Sequence, residues 1–189
     1  MAHSIQDFKS ALKGGGARPN LFEVQLTNIP GGADFDATEF QVLCKSAALP
    51  ASNIASIDVP FRGRIFKVAG DRTFDTWTIT VINDEDFKIR NAMERWMQFI
   101  GQFADGSGAT EPGSYMREAL VKQLKRSPSN VGGNNVVGQG LEIAAQYKFY
   151  DIFPTNISQI DLSYDSSDTI EEFTVEFQVQ YWSPFTGES

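Results

Sequence analysis

Residues 74–103, FDTWTITVINDEDFKIRNAMERWMQFIGQF, change hydrophobic period part-way along. Trp77, Ile79 and Val81 alternate with Thr76, Thr78 and Thr80, so the first part reads as a strand with one apolar and one polar face. Ile89, Met93, Trp96, Met97, Ile100 and Phe103 then recur at helical spacing, which predicts one amphipathic helix over about residues 84–103. The acidic run NDED (83–86) lies between the two. Asn83 or Asp84 is placed to cap the helix, and Glu85 and Asp86 complement the positive end of its dipole. A metal-binding carboxylate cluster would need further ligands converging from elsewhere, whereas capping needs none.

Outward from this segment the period stays near two. In LFEVQLT (21–27), Phe22, Val24 and Leu26 share one face and Glu23, Gln25 and Thr27 the other. FQVLCKSA (40–47) reads as a strand. IASIDVPF (54–61) and RIFKVAG (64–70) read as a hairpin turned by Arg62 and Gly63, and Gly70–Asp75 as a following turn. Further strands are expected at LEIAAQYKFY (141–150), ISQIDLS (157–163) and IEEFTVEFQVQYW (170–182), the last pair flanking the turn YDSSDT. Residues 1–19, ending in GGGARP, read as a flexible arm. Residues 104–140 form a long variable loop region, within which YMREALVKQLKR (115–126) suits either a short helix or an irregular strand. Several strands and one helix imply a mainly β fold, an antiparallel barrel or sandwich with the helix packed outside. At 189 residues the chain is expected to form one domain.

Charge is unevenly distributed. The chain holds 24 acidic and 16 basic residues for a net −8. No Lys or Arg follows Lys148, and Asp151, Asp161, Asp165, Asp168, Glu171, Glu172, Glu176 and Glu188 place the whole net charge in the C-terminal segment. Such a surface repels phosphate backbones, because nucleic-acid affinity rests on Lys and Arg displacing counterions.

The residues argue against catalysis. The single histidine, His3, lies in the N-terminal arm, which removes Ser-His-Asp and Cys-His arrangements and histidine-based zinc sites. Cys44 stands alone, so no intramolecular disulfide forms, and within FQVLC it reads as a small buried hydrophobe. DLSYDSSDTIEE (161–172) puts Asp161, Ser163, Asp165 and Glu172 at positions 1, 3, 5 and 12 of a calcium loop. Ser166 replaces the glycine that such a loop needs for its sharp turn, and the flanks alternate as strands. Asn156-Ile157-Ser158 matches a glycosylation acceptor, but no apolar export segment accompanies it at the N-terminus. No run approaches the roughly 18 apolar residues that span a bilayer. No phosphate loop, cofactor or metal is expected.

Two long segments carry a family resemblance. LCKSAALPASNIASIDVPFRGRIFKVAGDRTFDTWTITVINDEDFKIRNAMERWM (43–97) and YKFYDIFPTNISQIDLSYDSSDTIEEFTVEFQVQYW (147–182) resemble the tail tube proteins of contractile-tailed bacteriophages. The markers are CK-x-x-x-LP, VP-[FY]-RGR-x-x-K-x-AGDRTF and INDEDF-x-IRNA, then FP-x-x-x-S-x-IDLSYD before IEEFTV-x-F-x-x-QYW. Residues 1–20 and 104–140 depart from the pattern. The resemblance implies a structural, non-enzymatic virion protein, assembled in the host cytoplasm. Six subunits would form a ring, and rings would stack into a hollow tube inside a contractile sheath. The tube would hold the tape measure protein, later pass DNA, and meet baseplate and tail terminator proteins at its ends, with no membrane partner. The fold is similar to the type VI secretion tube protein and to baseplate tube-initiating proteins, which are the alternative functions.

An unpaired sheet edge invites a neighbour, and ring closure removes it. On that picture Glu23, Gln25, Glu172, Glu176 and Gln178 are the expected lumen-facing residues; a solvated outer sheet face is the alternative. Arg62, Arg64, Asp71, Arg72 and Asp75 are expected to make charged pairs between subunits where rings stack. Turn stabilisation within one subunit is the alternative there.

Overall fold

The computed structural model describes residues 4–12, 16–26, 28–31, 35–125, 143–165 and 168–184. Its elements in chain order begin with α1 (Ile5–Ala11), β1 (Phe22–Leu26), α2 (Ala37–Leu43), β2 (Cys44–Ala47), β3 (Ser52–Phe61) and β4 (Arg64–Phe74). Then come β5 (Trp77–Ile82), α3 (Lys88–Ile100), α4 (Pro112–Tyr115), β6 (Arg117–Leu124), β7 (Ile143–Ile157), β8 (Glu172–Gln178) and β9 (Tyr181–Pro184). Thr27 and the whole of 126–142, with the loop expected over 127–140 and the first two residues of the strand expected at 141–150, lie outside the described residues.

The main sheet is antiparallel, in the order β1-β6-β7-β8-β5-β2, with β9 also paired to β7. Its spine is β7, whose Tyr147–Tyr150 pair with β9 and whose Phe153–Ile157 pair with β8. Between these blocks Asp151 adopts φ 53°, a left-handed conformation that bends the strand. The partner must bend with it, so the expected strand 170–182 breaks into β8 and β9 around residues 179–180. The sheet therefore turns a corner but does not close into the expected barrel: in the path of paired strands β1 and β2 are the two ends.

The core fills the concave side of that corner. Trp77 stacks on Phe149 at 4.8 Å and 13°, and also meets Phe177 at 5.3 Å. Phe173, Val175, Val24, Leu26 and Val121 complete the buried sheet face. The helix α3 covers it with Ile89, Ala92, Met93 and Trp96, all buried, and the Trp96 indole N–H donates to the Tyr115 carbonyl at 2.8 Å. Large aromatics dominate because each removes about 150–250 Å² from water.

Several expectations are corrected. The stretch 40–47 is helix before it is strand, since Asp36 caps α2 by accepting from the Thr38 and Glu39 amides. Phe40 and Cys44, four apart, are buried while Val42 is 77 % exposed, the reverse of strand alternation. The helix expected over 84–103 is Lys88–Ile100. Neither Asn83 nor Asp84 caps it: the N-cap is Phe87 at φ 54°, with no side-chain cap bond. Ile82 is still paired with Glu172, so the chain needs the turn from Asp84 to Phe87 before it can coil. Residues 158–163 are not a strand; the ladder ends where the Ser158 amide donates to the Thr174 carbonyl. The ambiguous 115–126 becomes β6, paired with β1 and β7. Gly70–Phe74 belongs to β4 rather than to a turn, because Arg72, Thr73 and Phe74 pair with Ile54, Asn53 and Ser52. Within the N-terminal arm α1 is helical, closed by a capping box between Ser4 and Asp7.

Candidate assembly surfaces

The β3–β4 hairpin forms a sheet of its own, and almost every residue in it is exposed. Its two-residue turn puts both Arg62 (φ 45°) and Gly63 (φ 80°) in the left-handed region, the geometry that matches the twist of paired strands. Gly70 lies where the register shifts, and a Cβ there would sit 3.2 Å from the Ala55 carbonyl oxygen. At the base the Phe74 ring meets Trp182 edge-on at 6.1 Å, which ties the hairpin to β9.

Cross-strand register sorts the two faces. Ile57 with Val68, Val59 with Phe66, and Phe61 with Arg64 make one face; Ser56 with Ala69, Asp58 with Lys67, and Pro60 with Ile65 make the other. The first is apolar and open to water, with Phe61 65 % and Phe66 66 % exposed. The second carries the Lys67–Asp58 ion pair at 3.1 Å. An isolated two-stranded hairpin is marginally stable, and an apolar strip of this kind is a mark of an interaction surface.

The charged stacking candidates all belong to this element or its edge. Arg62 and Arg64 sit together at the tip, where the Arg62 guanidinium lies 5.4 Å from the Phe61 ring centroid. Asp71 and Arg72 lie exposed near the base, on β4. Asp75, just beyond, is engaged within the subunit: its carboxylate accepts from Asn53 Nδ2 at 3.0 Å and its amide donates to the Ala51 carbonyl. The apolar face escaped the charge-based choice of residues. Its signal, the alternation Ile57-Val59-Phe61, was visible but is identical to that of a core strand.

The lumen candidates lie on the sheet face opposite the core, alternating with buried Val24, Leu26, Phe173, Val175 and Phe177. They do not form one cluster, since β6 and β7 separate β1 from β8. Glu23 faces Lys122 at 4.0 Å and Glu172 meets Lys45 at 2.6 Å, so lysines offset both carboxylates. Glu176 lies opposite Thr78, and Gln178 opposite Phe153. On neighbouring strands Lys148 meets Glu118 at 2.7 Å, a hydrogen bond that raises the lysine above its ordinary range. Among the described residues three short-range ion pairs therefore lie on this face, and Glu176 is in none of them.

Burial pushes the Cys44 thiol up to about 12, which leaves it protonated and unreactive. Among the described residues no three His, Cys, Asp or Glu side chains converge as a metal site, and no helix is long and apolar enough to cross a membrane.

A family model described as phage tail tube protein matches residues 17–184. The chain belongs to the phage tail tube protein family. It is 31 % identical over 179 residues to the tail tube protein gp19 of Enterobacteria phage T4, covering 94 % of this chain and 98 % of that one. Among solved structures its fold is similar to the tube terminating cap of the anti-feeding prophage, with TM-score 0.61 at 18 % identity over 90 % of this chain and 91 % of that one. It is likewise similar to a chain of the PVC extracellular contractile injection system sheath–tube complex in the extended state. There the TM-score is 0.59 at 13 % identity, over 97 % and 99 % of the two chains. For a tail tube protein, then, the exposed hairpin and the polar sheet face are the candidate surfaces for assembly.

Proposed function

We propose that this tail tube protein forms hexameric rings that stack into the hollow inner tube of a contractile tail. The observation that carries the reading is the β3–β4 hairpin, a long exposed element with an apolar face that its own subunit leaves uncovered. Burying that strip against another copy supplies the hydrophobic driving force for association. Arg62, Arg64, Asp71 and Arg72 set its direction through charged pairs, while Asp75 buttresses the hairpin from within.

The opposite sheet face lines the lumen in this reading. Glu23, Gln25, Glu172, Glu176 and Gln178 present a polar, weakly acidic wall along which DNA slides without being gripped. The tape measure protein occupies the lumen before DNA does, the sheath lies outside, and baseplate and terminator proteins close the ends. The subunit performs no chemistry. It is a virion component that assembles in the host cytoplasm.

Negative-stain electron microscopy of the purified protein tests this directly. Rings and tubes of uniform diameter are expected. Discrete subunits at every concentration would overturn the tube reading, and structures that only cap pre-formed tubes would assign the chain to tube initiation instead.

A further inference from the structure

The subunit is electrically polar along the strand direction. In the β5–β8 pair, Trp77 lies opposite Phe177 at one end and Ile82 opposite Glu172 at the other, about 17 Å apart. The hairpin joins the body at the first end, since β4 stops at Phe74. Across Ser52–Phe74 the cations Arg62, Arg64, Lys67 and Arg72 outnumber Asp58 and Asp71, giving +2 on a chain of net −8.

The second end is net acidic, although Lys45 on Glu172, Lys88 on Asp86 and Arg90 on the Ser158 carbonyl lie there too. Asp161, Asp165, Asp168 and Glu171 gather just before β8, with no Lys or Arg in the sequence from 158 to 171. The Asn83 amide donates to the Glu171 carbonyl at 2.9 Å and Asn83 Nδ2 donates to the Glu171 carboxylate at 3.1 Å. These bonds hold the acidic stretch beside Asp84, Glu85 and Asp86. A cavity of about 450 Å³ opens there, lined by Asp161, Leu162, Ser163, Tyr164, Thr169 and Glu171. It is apolar as well as acidic: Leu162 is 81 % exposed and Tyr164 wholly so.

We propose that the hairpin tip of one copy, Phe61 with Arg62 and Arg64, seats in this acidic cleft of the next copy. The inference rests on the tube reading and names the receiving surface. An aromatic ring with two guanidinium groups matches a cleft that offers Leu162, Tyr164 and carboxylates, since the arginines find acceptors and the Phe61 ring finds apolar cover. The base of the hairpin and the acidic cleft lie at opposite ends of the β5–β8 pair, and donor and acceptor are different surfaces, so each union leaves one of each free. Such a contact is heterologous and propagates along an axis instead of closing as a dimer.

Charge reversal tests the pairing. Arg62→Glu with Arg64→Glu, and separately Asp161→Lys with Asp165→Lys, are each expected to reduce sedimentable polymer about tenfold or more, with circular dichroism unchanged. All four substitutions in one chain should restore tubes by re-forming the pairs with exchanged signs. Arg62→Cys with Asp161→Cys in one chain should give an oxidation-dependent ladder of covalent oligomers. Native tubes combined with no ladder, or tubes unaffected by Asp161→Lys with Asp165→Lys, would overturn the cleft assignment while leaving the tube reading standing. Absence of tubes from the unaltered protein would instead remove the reading on which the inference rests.

Discussion

The indole of Trp77 on β5 stacks on the ring of Phe149 on β7, 4.8 Å away and tilted by 13°. The strand β8 lies between β5 and β7 in the sheet, so this contact requires the sheet to curl until side chains two strands apart meet. The curl is also what sorts the surfaces, with the core and α3 on one side and the polar face on the other.

Trp77→Ala should therefore destabilise the subunit by about 3–5 kcal/mol, and Phe149→Ala by a similar amount. Denaturant unfolding checks both. A double-mutant cycle should return about 0.5–1.5 kcal/mol of coupling for the stack. A loss below about 1 kcal/mol for Trp77→Ala would show that the stack does not hold the corner together.

The hairpin separates stability from assembly. Ile57→Ser with Phe66→Ser should leave the unfolding midpoint of the subunit nearly unchanged, because both side chains are exposed in it. Tube yield by sedimentation should collapse. Normal yield would mean that the apolar face stays in water in the tube.

Asp71→Ala with Arg72→Ala tests the base of the same element. Neither residue contributes to the core, so the fold should persist while polymerisation is impaired. Unimpaired tube formation would remove this pair from the interface.

Glu172→Gln with Glu176→Gln addresses the lumen. The Lys45–Glu172 pair is partly exposed and contributes at most about 1 kcal/mol, so tubes should still form. The change leaves Lys45 unopposed beside the path proposed for DNA, which should slow genome release from phage carrying the variant. Release at the unaltered rate would place this sheet face elsewhere.

Cys44 offers a check on packing. With its thiol pushed up to about 12, the thiolate is scarce across the neutral and mildly alkaline range, and the group is buried as well. A thiol reagent at pH 8 should label the native protein only through unfolding, but label the denatured chain rapidly, where an ordinary cysteine titrates near 8.5. Fast labelling of the native subunit would show that the β2 edge opens.

Much of this organisation is readable in the residues. The alternation at 77–82 and 172–178, the stripe from Ile89 to Ile100 and the hairpin turned at Arg62-Gly63 all follow from the period of apolar residues. That the chain is mainly β with one principal flanking helix needed no coordinates, whereas placing Asp71 and Arg72 on the same hairpin as Arg62 and Arg64, and not in a turn after it, did. The resemblance to tail tube proteins was likewise carried by the sequence alone.

Tertiary structure decided the rest, because period records which face of an element avoids water but not what covers it. Ile57, Val59 and Phe61 alternate like Phe173, Val175 and Phe177, yet the first three are left open and the second three are buried. The local signals at Asn83 and Asp84 favoured a cap, but strand pairing continues to Ile82 and delays the helix until Phe87 has turned the chain. The bend at Asp151 is a backbone event set by two partners competing along one edge of β7, and no side-chain pattern announces it. The separation of the basic hairpin's base from the acidic stretch before β8 arises in the same way, from segments about a hundred residues apart in sequence that meet opposite ends of the β5–β8 pair.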